Sequence, residues 1–127
     1  MGLILDTNAL SAIAEGERRA VKEFARADEV AIPVIVLGEY RFGMSHSRHK
    51  QKYERWLGDL VAVCRVLEVN EQTSVSYAAL RSELKAAGTP IPSNDVWIAA
   101  LCRQHAVPIL SRDRHFDLVS GIQRIAW

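Results

Sequence analysis

The sequence predicts an α/β fold in which a central parallel sheet of about five strands lies between two layers of helices. Two observations lead to this prediction. Short, uniformly apolar runs, which are typical of strands buried on both faces, alternate with longer stretches of helical periodicity. Apolar residues make up 49% of the 127 residues, and no linker or shift in composition divides the chain. We therefore expect a single domain over residues 1–127.

Strands and helices are expected to alternate from the start of the chain. Thr7 or Asn8 can cap the first helix, and Gly16 ends it. Ser93 can cap the last helix, and Gly88 closes the helix before it. The expected strands are 3–5, 30–32, 63–69, 107–110 and 122–125, and the expected helices are 9–14, 19–27, 34–44, 47–61, 71–87 and 93–105.

Composition and charge exclude several classes of protein. The net charge is +1, so only a local patch can attract a charged partner. Two cysteines, Cys64 and Cys102, are too few for a secreted disulfide scaffold, and we expect buried, reduced thiols. No apolar run approaches the roughly 18 residues that span a bilayer, and Asp6 interrupts the first such run. We therefore expect a cytoplasmic protein without a membrane partner.

Four acidic residues stand where an α/β fold would gather them. Asp6 ends the first strand, and Glu39 follows the apolar run 31–37. Asp95 opens the apolar segment 96–102, and Asp113 follows the fourth strand. Strand ends and helix starts meet along one edge of a parallel sheet, where clustered carboxylates repel one another unless a cation lies among them. Since hard divalent ions prefer oxygen ligands, the pattern predicts a Mg²⁺ or Mn²⁺ site.

Each acid also has an ordinary structural interpretation. Asp6 can cap a helix, Asp95 can complement a helix dipole, and Asp113 can pair with a neighbouring arginine at the surface. Glu39 alone is typical of a solvated helix residue. Their joint occurrence at one edge is what favours the metal site.

Four segments, LILDTN, GEYRFG, NDVWIAA and SRDRHF, carry these acids in order. Together they resemble the PIN domain and, more narrowly, the VapC-type toxins of bacterial and archaeal toxin–antitoxin pairs. The resemblance runs from the first strand to the last, and the first and third segments are its specific parts. It implies a Mg²⁺- or Mn²⁺-dependent endoribonuclease that dimerises and is inhibited by a cognate antitoxin.

By position, the resemblance implies four catalytic, metal-holding acids, namely Asp6, Glu39, Asp95 and Asp113. It implies supporting polar residues around them, namely Thr7, Asn8 and Ser111. We expect Asp6 and Asp95 to be direct ligands. Glu39 and Asp113 would complete the site, directly or through water. Asp117 could be an auxiliary acid or a surface residue, and we favour the latter.

The residues themselves also favour metal-assisted hydrolysis. No serine or cysteine has a convincing base beside it, and the four histidines lack zinc-ligand spacing. A site made of carboxylates would use its ion to activate water for attack on a phosphodiester. Whether one or two ions bind is left open.

A basic stretch predicts where RNA would lie. Residues 41–55 contain five basic residues against one acid, Glu54, in a nearly neutral protein. Tyr53 and Trp56 interleave with them, although both rings could instead turn into the core. Arg112 and Arg114, beside the last acid, could also contact phosphate or a partner. The five basic residues are Arg41, Arg48, Lys50, Lys52 and Arg55.

Other functions fit the sequence less well. A receiver-like phosphorylated signalling domain needs paired acids after the first strand and a late lysine, yet Asp6 stands alone and no lysine follows Lys85. A haloacid-dehalogenase-like phosphatase needs a second aspartate where Asn8 stands. A PIN nuclease outside any toxin–antitoxin pair, or a PIN fold that only binds, remains an alternative.

Overall fold

In the computed structural model, which describes residues Met1–Trp127, five parallel strands form one sheet. They are β1 (Gly2–Leu5), β2 (Glu29–Pro33), β3 (Arg65–Leu67), β4 (Ile109–Leu110) and β5 (Arg124–Ile125). Their order across the sheet is β3-β2-β1-β4-β5. The chain therefore places β2 and β3 on one side of β1, and it then crosses over to place β4 and β5 on the other side. The boundary between β1 and β4 is a topological switch point, where α/β folds open a crevice.

Six α-helices connect the strands. They are α1 (Thr7–Ala14), α2 (Arg18–Arg26), α3 (Val34–Met44), α4 (Lys50–Val63), α5 (Glu71–Ala86) and α6 (Ser93–His105). Because crossovers between parallel strands are right-handed, α1 to α4 cover one face of the sheet and α5 and α6 cover the other. The predicted three-layer α/β fold is confirmed. None of the helices combines the length and hydropathy needed to cross a bilayer.

The structure decides between the candidate caps of α1, and it corrects the cap of α6 and the length of the third strand. Asp6, rather than Thr7 or Asn8, caps α1, because its Oδ1 accepts a hydrogen bond from the Thr7 backbone N–H at 2.9 Å. Pro92 occupies the N-cap position of α6, which makes Ser93 the first helical residue. The third strand is shorter than predicted because α4 continues as far as Val63.

The core is built on the two central strands and α6. Leu3, Ile4 and Leu5 of β1 are buried, and so are both residues of β4. Five consecutive residues of α6, from Ile98 to Cys102, are also buried. Two of these are alanines, whose small side chains let the neighbouring elements pack close to the helix. The burial of these residues confirms the prediction that α6 is central. Because α6 leads into the start of β4, its own first turn lies at the edge where the strands end.

The packing of α6 predicts the effect of a cavity there. Replacing Ile98, which is fully buried, with Ala should lower the free energy of unfolding by about 2–5 kcal/mol, because lost contacts and a cavity add to the transfer term. Val75→Ala is the control: Val75 is 60% exposed, so the change should stay within about 0.5 kcal/mol. Urea denaturation monitored by circular dichroism measures both. Equal, small effects would contradict the central position of α6.

Candidate metal centre

Asp6 and Ser111 meet at the switch point, directly after β1 and β4. Asp6 is 5% exposed and Ser111 is fully buried. The Ser111 hydroxyl donates to Asp6 Oδ2 at 2.6 Å. Asn8 Nδ2 donates to the same oxygen at 3.2 Å. Together with the Thr7 amide on Oδ1, these donors fix the Asp6 carboxylate in one orientation.

The Asn8 side chain forms hydrogen bonds to the residues that follow β1 and β4. Its Nδ2 also donates to Ser111 Oγ at 3.3 Å, and its Oδ1 accepts from the Arg112 backbone N–H at 3.1 Å. Ser111 Oγ accepts from the Asp113 N–H at 2.9 Å. The Ser111 hydroxyl therefore has a donor role and two acceptor roles filled, which is its full capacity. Thr7, Asn8 and Ser111 thus lie around Asp6, where the sequence prediction placed them.

Glu39 reaches this edge from α3, which starts directly after β2. The Thr7 hydroxyl donates to Glu39 Oε1 at 3.1 Å. The contact links residues 32 positions apart in the chain. It leaves Glu39 Oε2 without a hydrogen-bonding partner in the protein.

Asp95 and Asp113 face each other across His115. Asp95 lies in the first turn of α6, and Asp113 caps a 3-10 turn, Arg114–Leu118, that the sequence did not predict. His115 Nδ1 lies 3.0 Å from Asp95 Oδ2 and 3.1 Å from Asp113 Oδ1. One donor atom from each of the three residues lies within 4.8 Å of the others.

Burial and neighbouring charges raise the pKa of two of the acids, Asp6 and Asp95. Burial is the main reason that the pKa of Asp6 is raised, and the charges of Asp95 and Asp113 raise it further against the hydrogen bonds from Ser111 and Thr7. Burial also raises the pKa of Asp95, and Asp113 and Glu39 add to the effect while His115 opposes it. Hydrogen bonds through Thr7, Ser111 and His115 thus link all four acids that the sequence singled out. Only Asp95 and Asp113 share with His115 a group of donor atoms close enough for one ion, and Asp6 and Glu39 lie outside that group.

The charge of this cluster is poorly compensated. No lysine or arginine forms an ion pair with any of the four acids, and His115 is their only basic contact. The hydrogen bond to Asp95 is the main reason that the pKa of His115 is raised. A partly sheltered set of carboxylate oxygens with one imidazole fits a divalent metal ion, because the ion would supply the missing positive charge.

His115 was missed by the sequence reasoning. Its position in the sequence lacks zinc-ligand spacing, so no local pattern singled it out. The signal that could have found it is the spacing Asp113-Arg114-His115 after a strand. A side chain two positions beyond a turn-capping aspartate can fold back toward the same edge. In this structure the backbone N–H of His115 donates to Asp113 Oδ1 at 2.9 Å.

The predicted RNA-contacting residues are only partly free. Arg112 pairs with Glu17 and lies over the Trp127 ring, 4.6 Å from its centre, so its guanidinium is engaged within the protein. Arg41 Nε lies 3.3 Å from Glu54 Oε1. The remaining four basic residues are exposed and without ion pairs, namely Arg48, Lys50, Lys52 and Arg55.

Two other side chains settle into structural roles. Trp56 packs against the core and lies 6.1 Å, centre to centre, from the Tyr40 ring. Asp117 is exposed and forms a double hydrogen bond with Arg124, at 2.8 and 2.9 Å. The interpretation of Asp117 as a surface residue therefore agrees with its position.

Comparison with known proteins identifies the family. A family model described as the PIN domain matches residues 3–122. Ribonuclease VapC5 of Mycobacterium tuberculosis is 31% identical over 93% of this chain and 87% of its own length.

Solved structures agree with the fold. The VapBC2 structure from Rickettsia felis, bound to a DNA fragment from their promoter, covers 100% of this chain and 99% of its own, with a TM-score of 0.89 and 23% identity. The VapBC-5 structure from M. tuberculosis, a member of the VapBC family of toxin–antitoxin systems, covers 99% and 98%, with a TM-score of 0.77 and 25% identity. The chain therefore belongs to the PIN domain family and, within it, groups with the VapC ribonucleases.

Proposed function

We propose that this protein is the toxin of a toxin–antitoxin pair and acts as a Mg²⁺- or Mn²⁺-dependent endoribonuclease. The observation that carries the proposal is that hydrogen bonds through Thr7, Ser111 and His115 link four carboxylates at the switch point, and that no lysine or arginine pairs with any of them. The relatives named ribonuclease VapC support RNA as the substrate. The four acids are Asp6, Glu39, Asp95 and Asp113.

Within the site, Asp6 and Asp95 would hold the ion directly, and Glu39 and Asp113 would complete its surroundings. A bound ion of this kind polarises a phosphodiester and makes water a better nucleophile near neutral pH. Ser111, Asn8 and the Thr7 amide keep Asp6 in one orientation, so little reorganisation is needed when substrate arrives.

Two acids have a free oxygen for proton transfer. Thr7 occupies Glu39 Oε1, which leaves Oε2 free to accept a proton from the attacking water. The backbone and ring of His115 both lie against Asp113 Oδ1, which leaves Oδ2 free for the same task.

RNA would run along the start of α4. The C-terminus of α4 leads directly into β3 at the opposite edge of the sheet. Arg41 of α3, two residues after Glu39, lies 3.3 Å from Glu54 of α4, so the N-terminal half of α4 lies beside the helix that carries Glu39. Arg48, just before α4, and Lys50, Lys52 and Arg55 within it are exposed and free to contact phosphates.

We further propose that the protein acts in the cytoplasm, forms a homodimer and is inhibited by a cognate antitoxin. The VapBC-5 neighbour, a member of the VapBC family of toxin–antitoxin systems, supports the antitoxin partner. A PIN nuclease outside such a pair is the alternative. A small reading frame that overlaps the upstream end of this gene would favour the toxin.

Neutralising a ligand should abolish cleavage. Asp6→Asn and Asp95→Asn each remove a charged oxygen donor while nearly keeping shape, so metal-dependent cleavage should fall at least about 100-fold. The assay incubates single-stranded and structured RNAs with Mg²⁺, Mn²⁺ or chelator and maps the cut ends. Asp117→Asn is the matched control, since Asp117 lies outside the cluster, and it should cleave normally. Undiminished cleavage in chelator would contradict the mechanism.

The basic track should set the salt dependence of RNA binding. Changing Arg48, Lys50 and Lys52 to Gln should weaken binding and lower the slope of log K against log salt by about 0.7 for each lost phosphate contact. Fluorescence anisotropy with a labelled single strand, in chelator to prevent cleavage, measures the slope.

The control for this triple variant changes three basic residues on α2 and β3 to Gln, namely Lys22, Arg26 and Arg65, of which Arg26 pairs with Glu23 and Arg65 with Glu29. All three are exposed, and Arg65 opens β3. This control should leave the slope unchanged. If both triple variants change the slope equally, the start of α4 is not the RNA track.

Removing one charge from the cluster should stabilise the metal-free protein. The pKa of Asp95 is raised in the folded state, chiefly by burial, so the native state binds a proton more readily than the unfolded chain. The resulting destabilisation is fully present above the folded pKa and disappears as pH falls through it toward the ordinary value. In chelator at neutral pH, Asp95→Asn should therefore melt a few degrees above the parent, and this gap should close in acid.

A bound metal ion should reduce or reverse this difference in melting temperature between Asp95→Asn and the parent. Mg²⁺ or Mn²⁺ should stabilise the parent by mass action and the variant less, so the gap shrinks or changes sign. Thermal melts with chelator and with each metal test both statements. If Asp95 served only the helix dipole, the variant would instead lose a few tenths to about 1 kcal/mol with or without metal, and Asp95 would leave the proposed site.

A further inference from the structure

His115 is the one nitrogen donor that faces the acidic cluster. Its Nδ1 lies between two carboxylates, 3.0 Å from Asp95 Oδ2 and 3.1 Å from Asp113 Oδ1. The His115 side chain is 46% exposed and that of Asp95 is 15% exposed, so the ring is the more solvent-accessible member of this pair. No other histidine contacts any of the four acids.

We propose that His115 is a nitrogen ligand of the metal site and that the site therefore prefers Mn²⁺ to Mg²⁺. This inference rests on the proposed function, because it deepens the same site. It adds a residue to the acids that the PIN resemblance implies. Imidazole binds first-row transition ions well, whereas Mg²⁺ prefers oxygen ligands. One nitrogen in an otherwise carboxylate site would thus favour Mn²⁺.

The spacing of the three donor atoms is compatible with one shared ion. Neighbouring ligands around an octahedral ion with bonds of about 2.1 Å lie about 3 Å apart. Nδ1 keeps such a spacing to one oxygen on each of two aspartates that belong to different elements, α6 and the segment after β4. An ion that took one oxygen from each aspartate would therefore meet Nδ1 as a third donor with little movement.

The imidazole is also held in place by the local fold. Asp113 Oδ1 accepts from the His115 backbone N–H at 2.9 Å, which fixes the start of the 3-10 turn. Phe116, the next residue, is 1% exposed and anchors the turn in the core. A donor positioned in this way loses little conformational freedom when it coordinates an ion.

A different role for His115 makes the opposite prediction. If the ring only supplied positive charge between Asp95 and Asp113, an incoming ion would have to displace it. Removing the ring would then strengthen the binding of Mn²⁺ and Mg²⁺ alike. If the ring is a ligand, its removal weakens Mn²⁺ binding and changes Mg²⁺ binding much less.

Calorimetric titration of the full chain with Mn²⁺ and with Mg²⁺ at one fixed pH separates the two roles. His115→Ala should weaken Mn²⁺ binding roughly 10-fold or more and Mg²⁺ binding less than about 3-fold, given the 10- to 100-fold effects of changes around metal ligands. His105→Gln is the control, because His105 ends α6 roughly 18 Å from its start and lies near Gly2 and Val107. It should leave both affinities unchanged.

Electron spin-echo spectroscopy of the Mn²⁺-loaded protein gives a readout that is independent of activity. The parent and His105→Gln should show ¹⁴N coupling from a directly bound imidazole, and His115→Ala and His115→Gln should lose it. Tighter binding of both ions by His115→Ala, or Mn²⁺ binding by the parent without ¹⁴N coupling, would overturn the role of His115 and leave the carboxylate site standing. If the parent binds neither ion, the proposed metal-dependent function fails as well.

Discussion

Repulsion among carboxylates gathered at one sheet edge is the constraint on which the rest of this structure depends. Asp6 is buried, and its pKa is raised by that burial and by its acidic neighbours. Keeping the Asp6 carboxylate charged in this position therefore costs folding free energy. Hydrogen bonds from Ser111, Asn8 and the Thr7 amide offset part of this cost and direct the carboxylate oxygens. Local stability is therefore lowered where chemistry is expected, as is common at functional sites.

The sheet topology explains why the acids can meet at all. β1 and β4 are neighbours in the sheet although more than a hundred residues separate Ser111 from Asp6. The buried strands and the apolar body of α6 form a stiff frame, and Asp95 projects from the first turn of that helix. A rigid frame of this kind can hold like charges close together, because relaxation away from one another would disturb the packed core.

The surroundings of the site divide the basic residues into two groups. Arg112 is tied to Glu17 and Trp127, and it braces the segment between β4 and the 3-10 turn. The residues at the start of α4 remain free and face solvent. Since their charges are not neutralised by neighbouring acids, they are the part of the surface best suited to phosphate. The aromatic Trp56, in contrast, belongs to the core beside Tyr40.

The sequence by itself predicted the five strands, the six α-helices and the four acids of the proposed site, because apolar periodicity and residues at element ends are local signals. It did not predict the 3-10 turn that carries His115. It left Asp6, Thr7 and Asn8 open as caps of α1 and misplaced the cap of α6 by one residue, since several polar or turn-forming residues compete at each helix start. Only the tertiary structure decided which side chains meet: Ser111 on Asp6, Thr7 on Glu39, and His115 between Asp95 and Asp113. Such contacts follow from strand order and helix placement, and no local pattern along the chain encodes the distance between two strand ends.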